Sequence, residues 1–203
     1  MGIQKIEIDD TSDTKNVELP PEYLLGLKNL FKIVVDFLKE NDIEYFIEGG
    51  TLLGCVRDKG QIKWDDDCDL GMIPKHFNNL LKIIHKLNMF VIDKSVNGYI
   101  RIIDPNTAYT RNILFEDEKG LKETPPRYAC IDIFEYTLIK KYYTLSNIKL
   151  RNQFHNAIFK KDCLYPLKEY DYEDFKVMGC AIPEQYLDDC YGNWKKRNVY
   201  IYS

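Results

Sequence analysis

The sequence predicts an α/β (α+β) fold in which helices pack around a small mixed central sheet. Apolar residues recur at helical spacing after Pro20-Pro21 and again after Pro74. Between and beyond these stretches, short apolar or alternating runs such as residues 45–47 have the length and composition of strands. A chain of 203 residues can bury a sizeable core, and its 13% aromatic and 30% charged residues exclude a disordered chain.

The first elements run from an N-terminal arm to a glycine turn. We expect residues 1–19 to form a flexible arm and residues 20–203 to form a single domain. The apolar run at 45–47 predicts a buried strand that stops at Gly49-Gly50. Before it, the first helix begins at Pro20-Pro21 and carries an apolar face made of Leu24, Leu27, Phe31, Val34 and Leu38.

The middle of the chain predicts a helix followed by a hairpin. Two short strands at about residues 89–93 and 99–103 flank Asn97-Gly98, a dipeptide that is typical of hairpin turns. The preceding helix begins at Pro74, and its apolar face contains Phe77, Leu80, Leu81, Ile84 and Leu87.

The rest of the chain predicts a loop, a strand and further helices. Residues 116–127 are charged and contain prolines, so we expect a loop that could close over a substrate. Alternation over residues 128–139 predicts a strand that carries Asp132. The remainder is expected to be helical, with one helix over 145–159 and a final helix after Pro183.

An acidic cluster is the clearest chemical feature of the sequence. Residues 64–69 read Trp-Asp-Asp-Asp-Cys-Asp, and in a strand Asp65, Asp67 and Asp69 would project from the same face. Three carboxylates so close together repel each other, and a divalent cation relieves that repulsion. Clustered oxygen ligands suit Mg²⁺ or Mn²⁺. The alternative is a solvated acidic loop, which is what most Asp runs are.

The segment before the cluster predicts an anion site. A buried strand, the pair Gly49-Gly50 and a helix that starts at Thr51 follow one another directly. Glycines allow the backbone to approach a phosphate, and the free N–H groups of a helix start donate hydrogen bonds to it. The alternative for a Gly-Gly pair alone is an ordinary turn. Glu48, just before the pair, is either an acid that supports the site or a plain charge at the helix N-terminus.

Residues 48–72 together carry a resemblance to a known family. They read EGGTLLGCVRDKGQIKWDDDCDLGM, which resembles the signature of the LicD family of bacterial phosphocholine transferases, related to the fukutin group of sugar-phosphate transferases. Lys63 stands where the family usually has proline, and this departure removes no expected ligand. Residues 131–134 and the stretch 165–194 are similar to later family blocks, so the resemblance covers most of the chain from about Pro20.

The resemblance implies a nucleotidyltransferase-like core and a metal-dependent phosphotransferase. Such an enzyme moves a phosphocholine or sugar/alditol-phosphate group from a CDP-activated donor, such as CDP-choline or CDP-ribitol, to a glycan hydroxyl. The implied metal ligands are Asp65, Asp67, Asp69 and Asp132, and the last three are also the implied catalytic residues, with Asp132 as the preferred proton acceptor. Gly49, Gly50 and Thr51 would hold the donor phosphates, and Arg57 stands at the family's arginine position and could pair with them. Arg101 and Lys168 are further candidates of the same kind; the alternative for each of the three cations is a surface residue.

Composition limits the partners and the compartment. The net charge of −4 does not favour nucleic-acid binding. No apolar run approaches the ~20 residues that span a bilayer, and the first 15 residues do not resemble a signal peptide. We therefore read the six cysteines as reduced thiols and expect a cytoplasmic protein. The family resemblance implies that its partners are a CDP-linked donor and a carbohydrate acceptor. The sequence does not predict an oligomeric state.

Three alternatives share parts of this pattern. A nucleotidyltransferase that uses an NTP donor would have the same Gly-Gly turn and three carboxylates, and pyrophosphate release would identify it. A metal-dependent glycosyltransferase could use an Asp-x-Asp motif, but the early Gly-Gly-Thr box argues against it. A non-catalytic relative that binds a glycan or a partner would have no need for Asp67, Asp69 and Asp132, since clustered carboxylates are unfavourable unless they are used.

Overall fold

A computed structural model of the chain describes residues 18–109 and 126–196 in full, together with the backbone of four outlying strands. The helices are α1 (Pro21–Glu40), α2 (Gly49–Arg57), α3 (Pro74–Ile83), α4 (Ile148–Gln153), α5 (Lys161–Leu164) and α6 (Pro183–Tyr191). The strands are β1 (Ile3–Glu7), β2 (Phe46–Ile47), β3 (Asp67–Met72), β4 (Val91–Asp93), β5 (Tyr99–Ile103), β6 (Leu114–Asp117), β7 (Gly120–Glu123), β8 (Cys130–Ile139), β9 (Tyr142–Leu145), β10 (Ile158–Lys160), β11 (Lys168–Tyr172), β12 (Phe175–Gly179) and β13 (Asn198–Tyr202).

A mixed sheet of seven strands lies at the centre of the described part of the chain, as predicted. Its middle strand is β8, which pairs in parallel with β3 along one edge. Along the other edge, β8 pairs antiparallel with β5 through its first half and with β9 through its second half. Strands β2, β4 and β10 extend the sheet from β3, β5 and β9. The acidic strand β3 and the Asp132 strand β8 are therefore direct neighbours.

Helix α1 covers the sheet and forms much of the core. Pro21 occupies the first turn, where its missing N–H would have had no helical partner. The helix packs on β3 and β8, and its apolar face is fully or almost fully buried through Leu27, Leu30, Phe31, Val34 and Leu38. The helical spacing of the sequence predicted this element correctly.

Strand β3 separates the carboxylates from the core. Cys68 and Leu70 are buried in the core, whereas Asp67 and Asp69 alternate with them and lie on the other face. The strand begins at Asp67, so Asp65 precedes it and its place depends on the loop that leads into β3. The alternating pattern was therefore correct for two of the three aspartates.

The C-terminal half contains more strand than the sequence predicted. The helix expected over 145–159 is wrong, because only Ile148–Gln153 is helical and Ile158–Lys160 pairs with β9. Strands β11 and β12 form a further hairpin in which apolar residues alternate, with Tyr172 and Phe175 opposite each other. That alternation has the period of a strand and lacks the helical spacing seen in α1.

Two further predictions concern the outer segments. The backbone of Leu114–Asp117 and Gly120–Glu123 pairs as a hairpin, so the expected loop at 116–127 is partly strand, while 118–119 and 124–125 lie outside the described residues. Within the expected arm, β1 pairs antiparallel with β13, and residues 1–2 and 8–17 lie outside the described residues. Among the helices that the structure describes, none has the length and apolar character needed to cross a bilayer.

Candidate active site

The start of α2 lies directly against two carboxylates. A Cβ atom on Gly49 would lie 2.7 Å from Oδ2 of Asp69, and one on Gly50 would overlap Oδ2 of Asp65. Gly49 also has a φ of +54°, which favours glycine over other residues. The glycine pair thus lets the carboxylates approach the helix N-terminus, whose partial positive charge favours anions. Both glycines line the adjoining cavity, and their predicted contact with a donor phosphate stays a prediction.

Thr51 fixes the acidic strand to the helix. Its buried hydroxyl oxygen accepts a hydrogen bond from the backbone N–H of Asp69 at 2.7 Å. The N–H of Glu48 in turn donates to the carbonyl oxygen of Asp69 at 3.1 Å. Thr51 therefore positions a carboxylate, and it is not among the described residues that line the cavity.

Three carboxylates converge on one point between β3 and β8. Carboxylate oxygens of Asp67, Asp69 and Asp132 all lie within 4.8 Å of one another, and Asp69 is directly opposite Asp132 in the parallel register. Burial, and then repulsion from neighbouring carboxylates, raises the pKa of both Asp67 and Asp69 well above the usual range. Burial and the adjacent Asp66 raise the pKa of Asp65 to about 7.

These residues fit a hard divalent cation. A bound cation would offset the repulsion that makes the carboxylates difficult to ionise. Carboxylate oxygens are also the ligands that Mg²⁺ and Mn²⁺ prefer. The acidic cluster can therefore hold a metal ion, as the alternation of aspartates in the sequence predicted.

Arg101 supplies the opposing charge. It lies opposite Asp132 in the antiparallel pairing of β5 with β8. Its Nε donates to Oδ1 of Asp132 at 2.6 Å and its Nη2 donates to Oδ2 at 2.5 Å. The hydroxyl of Tyr99 also donates to Oδ1 at 2.8 Å. Both oxygens of Asp132 are therefore engaged, and the guanidinium of Arg101 would compete with a metal ion or a proton for them.

A cavity of about 500 Å³ adjoins the carboxylates. One part is polar and contains Gly49, Gly50, Asp69 and Arg101. The other part is largely aromatic, with rings from Phe134, Tyr136, Phe154, Tyr186 and Tyr191. A combination of aromatic walls with a few placed polar groups is typical of small-molecule binding sites.

Glu48 is a buried acid at the wall of this cavity. Only 4% of the residue is exposed, and the hydroxyl of Tyr136 donates to its Oε2. Its Oε1 has no hydrogen-bond partner among the described residues. Burial raises the pKa of Glu48 to about 8, so the protonated form is favoured at neutral pH when no metal is bound. Of the two sequence interpretations, an acid that supports the site agrees with this burial.

Two predicted phosphate ligands lie elsewhere. Arg57 is at the opposite end of α2 from the glycines, where it pairs with Asp58 at 2.7 Å. Lys168 is exposed at the start of β11, and its Nζ donates to the carbonyl oxygen of Ala181 at 2.7 Å. Neither is among the described residues that line the cavity. The structure brings together Asp65, Asp67, Asp69, Asp132, Gly49, Gly50 and Arg101 instead.

The sequence patterns did not identify three tyrosines that support the site. Tyr99 contacts Asp132, Tyr136 contacts Glu48, and the hydroxyl oxygen of Tyr186 accepts a hydrogen bond from the N–H of Gly49 at 3.2 Å. Tyr99 and Tyr136 stand at even spacing from Arg101 and Asp132 on their strands, which places them on the same face. That spacing was a usable signal, whereas nothing in the sequence links Tyr186 to Gly49.

Several known proteins are similar to this chain in sequence. An uncharacterised protein of Rickettsia prowazekii is 32% identical over 200 residues, which cover 98% of this chain and 66% of that protein. The lipopolysaccharide cholinephosphotransferase LicD of Haemophilus influenzae is 26% identical over 198 residues, covering 76% of this chain and 68% of the relative. Human ribitol 5-phosphate transferase FKRP is 38% identical over 60 residues, which cover 30% of this chain and 12% of that enzyme.

The chain thus spans about two thirds of the length of the two bacterial relatives. A family model described as "LicD/FKTN/FKRP, nucleotidyltransferase domain" matches residues 42–179. These residues include the glycine pair, both carboxylate strands and the β11–β12 hairpin. The resemblance seen in the sequence is confirmed, and the chain belongs to the LicD family.

Proposed function

We propose that this protein is a metal-dependent transferase of phosphorus-containing groups. It would move a phosphocholine or a sugar/alditol-phosphate group from a CDP-activated donor to a glycan hydroxyl. The observation that carries the proposal is the convergence of Asp67, Asp69 and Asp132 beside the start of α2 and a cavity of about 500 Å³. The printed functions of the LicD and FKRP relatives support the class of group that is transferred.

The residues of this chain would position the metal ion and the donor phosphate and offset their charges. Asp67, Asp69 and Asp132 would hold Mg²⁺ or Mn²⁺, with Asp65 as a further ligand. Such an ion, when bound, neutralises charge on the transferred phosphate and the leaving group. Arg101 reaches the same space and, with its planar fork, can pair with a phosphate in two places.

The reaction that this arrangement supports is a single displacement at phosphorus. The oxygen of the acceptor hydroxyl forms a bond to the transferred phosphorus, and the bond from that phosphorus to the CMP oxygen breaks. The hydroxyl proton passes to a carboxylate, for which we prefer Asp132. Because Arg101 engages both oxygens of Asp132, we infer that Arg101 turns to the donor phosphate and so frees the carboxylate.

Product analysis tests this proposal. Purified protein would be incubated with Mg²⁺ or Mn²⁺, with methyl glycosides as acceptors, and with each of CDP-choline, CDP-ribitol, CTP and ATP, and the released CMP or pyrophosphate would be measured. We expect metal-dependent CMP release from a CDP-linked donor, and its loss in Asp67→Asn and Asp69→Asn. Pyrophosphate release from an NTP instead would replace this proposal with nucleotidyl transfer.

A further inference from the structure

A second cavity of about 390 Å³ adjoins the first one. The two share Asp67 and Arg101, so they meet at the carboxylate cluster. The wall of the second cavity is completed by Asp66, Ile103, Pro126, Arg127, Tyr128 and Cys130. This cavity has no assigned role in the reaction described above.

The two cavities follow one face of β8. Cys130, Asp132, Phe134 and Tyr136 alternate along the strand and therefore share a face. Cys130 lines the second cavity, whereas the other three line the first. At a rise of about 3.3 Å per residue, the face from Cys130 to Tyr136 is about 20 Å long. We refer to the two cavities together as the groove; Asp67 and Arg101 line both cavities, and Asp132 lines the first.

The groove has two different ends. Among the residues that the structure describes, Gly49 and Gly50 line the first cavity and do not line the second. Displacement at phosphorus requires the attacking and leaving oxygens to be roughly in line on opposite sides. If the donor diphosphate lies beside the glycines, with its nucleoside toward the aromatic rings, the acceptor must arrive from the second cavity.

The walls of the second cavity suit a polyhydroxylated ligand. Arg127 donates from Nη1 to Oδ2 of Asp66, and 53% of the Arg127 side chain remains exposed. The guanidinium and the carboxylate together offer donors and acceptors for hydroxyl groups. Tyr128 is 38% exposed and adds an aromatic ring. The backbone of Arg127 exchanges two hydrogen bonds of 2.7 Å with Tyr109, which holds this wall in place.

We propose that the second cavity is the acceptor site and that it binds the carbohydrate whose hydroxyl attacks the donor. Arg127 and Asp66 are its specificity-determining residues, since their polar groups contact the sugar and not the transferred phosphate. This assignment rests on the proposed function only for the identity of the reaction. The binding of a carbohydrate at this place can be measured without any turnover.

Ligand-observed NMR tests the assignment. Methyl glycosides of glucose, galactose and N-acetylglucosamine would be titrated into the protein with Mg²⁺ and CMP present. We expect saturation transfer to at least one glycoside, and a Kd for it that rises about tenfold in Arg127→Ala, the usual effect of losing a hydrogen bond to a charged group. The Kd for CMP should change less than about twofold, because Arg127 is outside the first cavity.

Two variants serve as controls. Lys32→Ala removes an exposed ion pair with Asp36 on α1 and should leave glycoside binding unchanged. Phe154→Ala alters the aromatic part of the first cavity and should weaken CMP binding instead. The fold of each variant would be verified by its melting temperature.

The outcomes separate this inference from the proposed function. Glycoside binding that resists Arg127→Ala but is lost in Phe154→Ala would overturn it, as would the absence of binding by any of the glycosides. If glycoside binding depends on Arg127 while no cytidine ligand binds, the acceptor site stands and the CDP-linked donor is wrong.

Discussion

Gly49 and Gly50 leave no room for a larger side chain, because a methyl group at either position would meet a carboxylate. Gly50→Ala should destabilise the protein by about 1–3 kcal/mol through overpacking against Asp65. It should also weaken Mn²⁺ binding, since the displaced carboxylate is a proposed ligand. The free energy of unfolding and the Mn²⁺ affinity would be measured for Gly50→Ala and for Gly50→Ala/Asp65→Ala. Stability that is not regained in the double variant would show that the clash is not the cause.

Arg101 should affect metal binding and turnover in opposite directions. Its guanidinium competes with a cation for both oxygens of Asp132. Arg101→Ala should therefore tighten Mn²⁺ binding while it lowers the rate of CMP release by about 10- to 100-fold, the loss of a charged contact to phosphate. Arg101→Lys keeps the charge but loses the fork, so we expect only partial rescue. Weaker Mn²⁺ binding in Arg101→Ala would contradict this account.

Glu48 should make stability depend on pH when EDTA removes divalent metal. Its pKa is about 8 in the folded protein, above the usual value in an unfolded chain. The folded state therefore keeps a proton that the unfolded state has lost, and stability decreases as pH rises from about 5 to 8 by up to about 1.4 kcal/mol per pH unit. Urea denaturation at several pH values would show a shallower dependence in Glu48→Gln. An equally steep dependence in that variant would assign the effect to another group.

At the scale of elements, the β11–β12 hairpin supports the acidic loop through one glutamine. The hydroxyl of Tyr172 donates to Oε1 of Gln61 at 2.6 Å. The side-chain nitrogen of Gln61 then donates to the carbonyl oxygens of Asp65 at 3.1 Å and Asp67 at 3.3 Å. The hairpin thus helps to position the aspartates, although it contributes no carboxylate to the cluster.

Tyr172→Phe tests this support. It should cost about 1 kcal/mol of stability, the usual net value of one hydrogen bond, and weaken Mn²⁺ binding severalfold. Tyr45→Phe is a matched control, because its hydroxyl oxygen accepts a hydrogen bond from Met178 of the same hairpin and is not bonded to Gln61. Calorimetry with Mn²⁺ would compare the two variants. Equal metal affinities would mean that Gln61 does not transmit the effect.

The sequence predicted elements whose periodicity is set by local burial. Helix α1 and the two carboxylate strands could be located because their apolar faces repeat at a regular spacing. The pairing of Arg101 with Asp132 could not be located in this way, since it depends on β5 lying beside β8 in one register. Arg57 resembled a phosphate ligand by motif alone, and the length of α2 separates it from the glycines. Local sequence patterns therefore predicted the carboxylates but not the side chains that pair with them.

At the scale of the whole molecule, the family assignment and the groove agree with the two-substrate transfer that we propose. The family model covers residues 42–179, which contain both carboxylate strands. Both cavities of the groove are lined by Asp67 of the carboxylate cluster and by Arg101. A transfer between two bound substrates needs such a pair of cavities, with the charge-neutralising residues between them.

The most direct test of this account is CMP release from CDP-choline and CDP-ribitol in the presence of methyl glycosides as acceptors, measured with and without Mn²⁺ in the wild type, Asp67→Asn and Asp69→Asn. The account predicts CMP release that requires Mn²⁺, occurs with at least one of the two donors and is lost in both variants. Release that persists in EDTA or in the variants would show that the carboxylate cluster is not the catalytic centre.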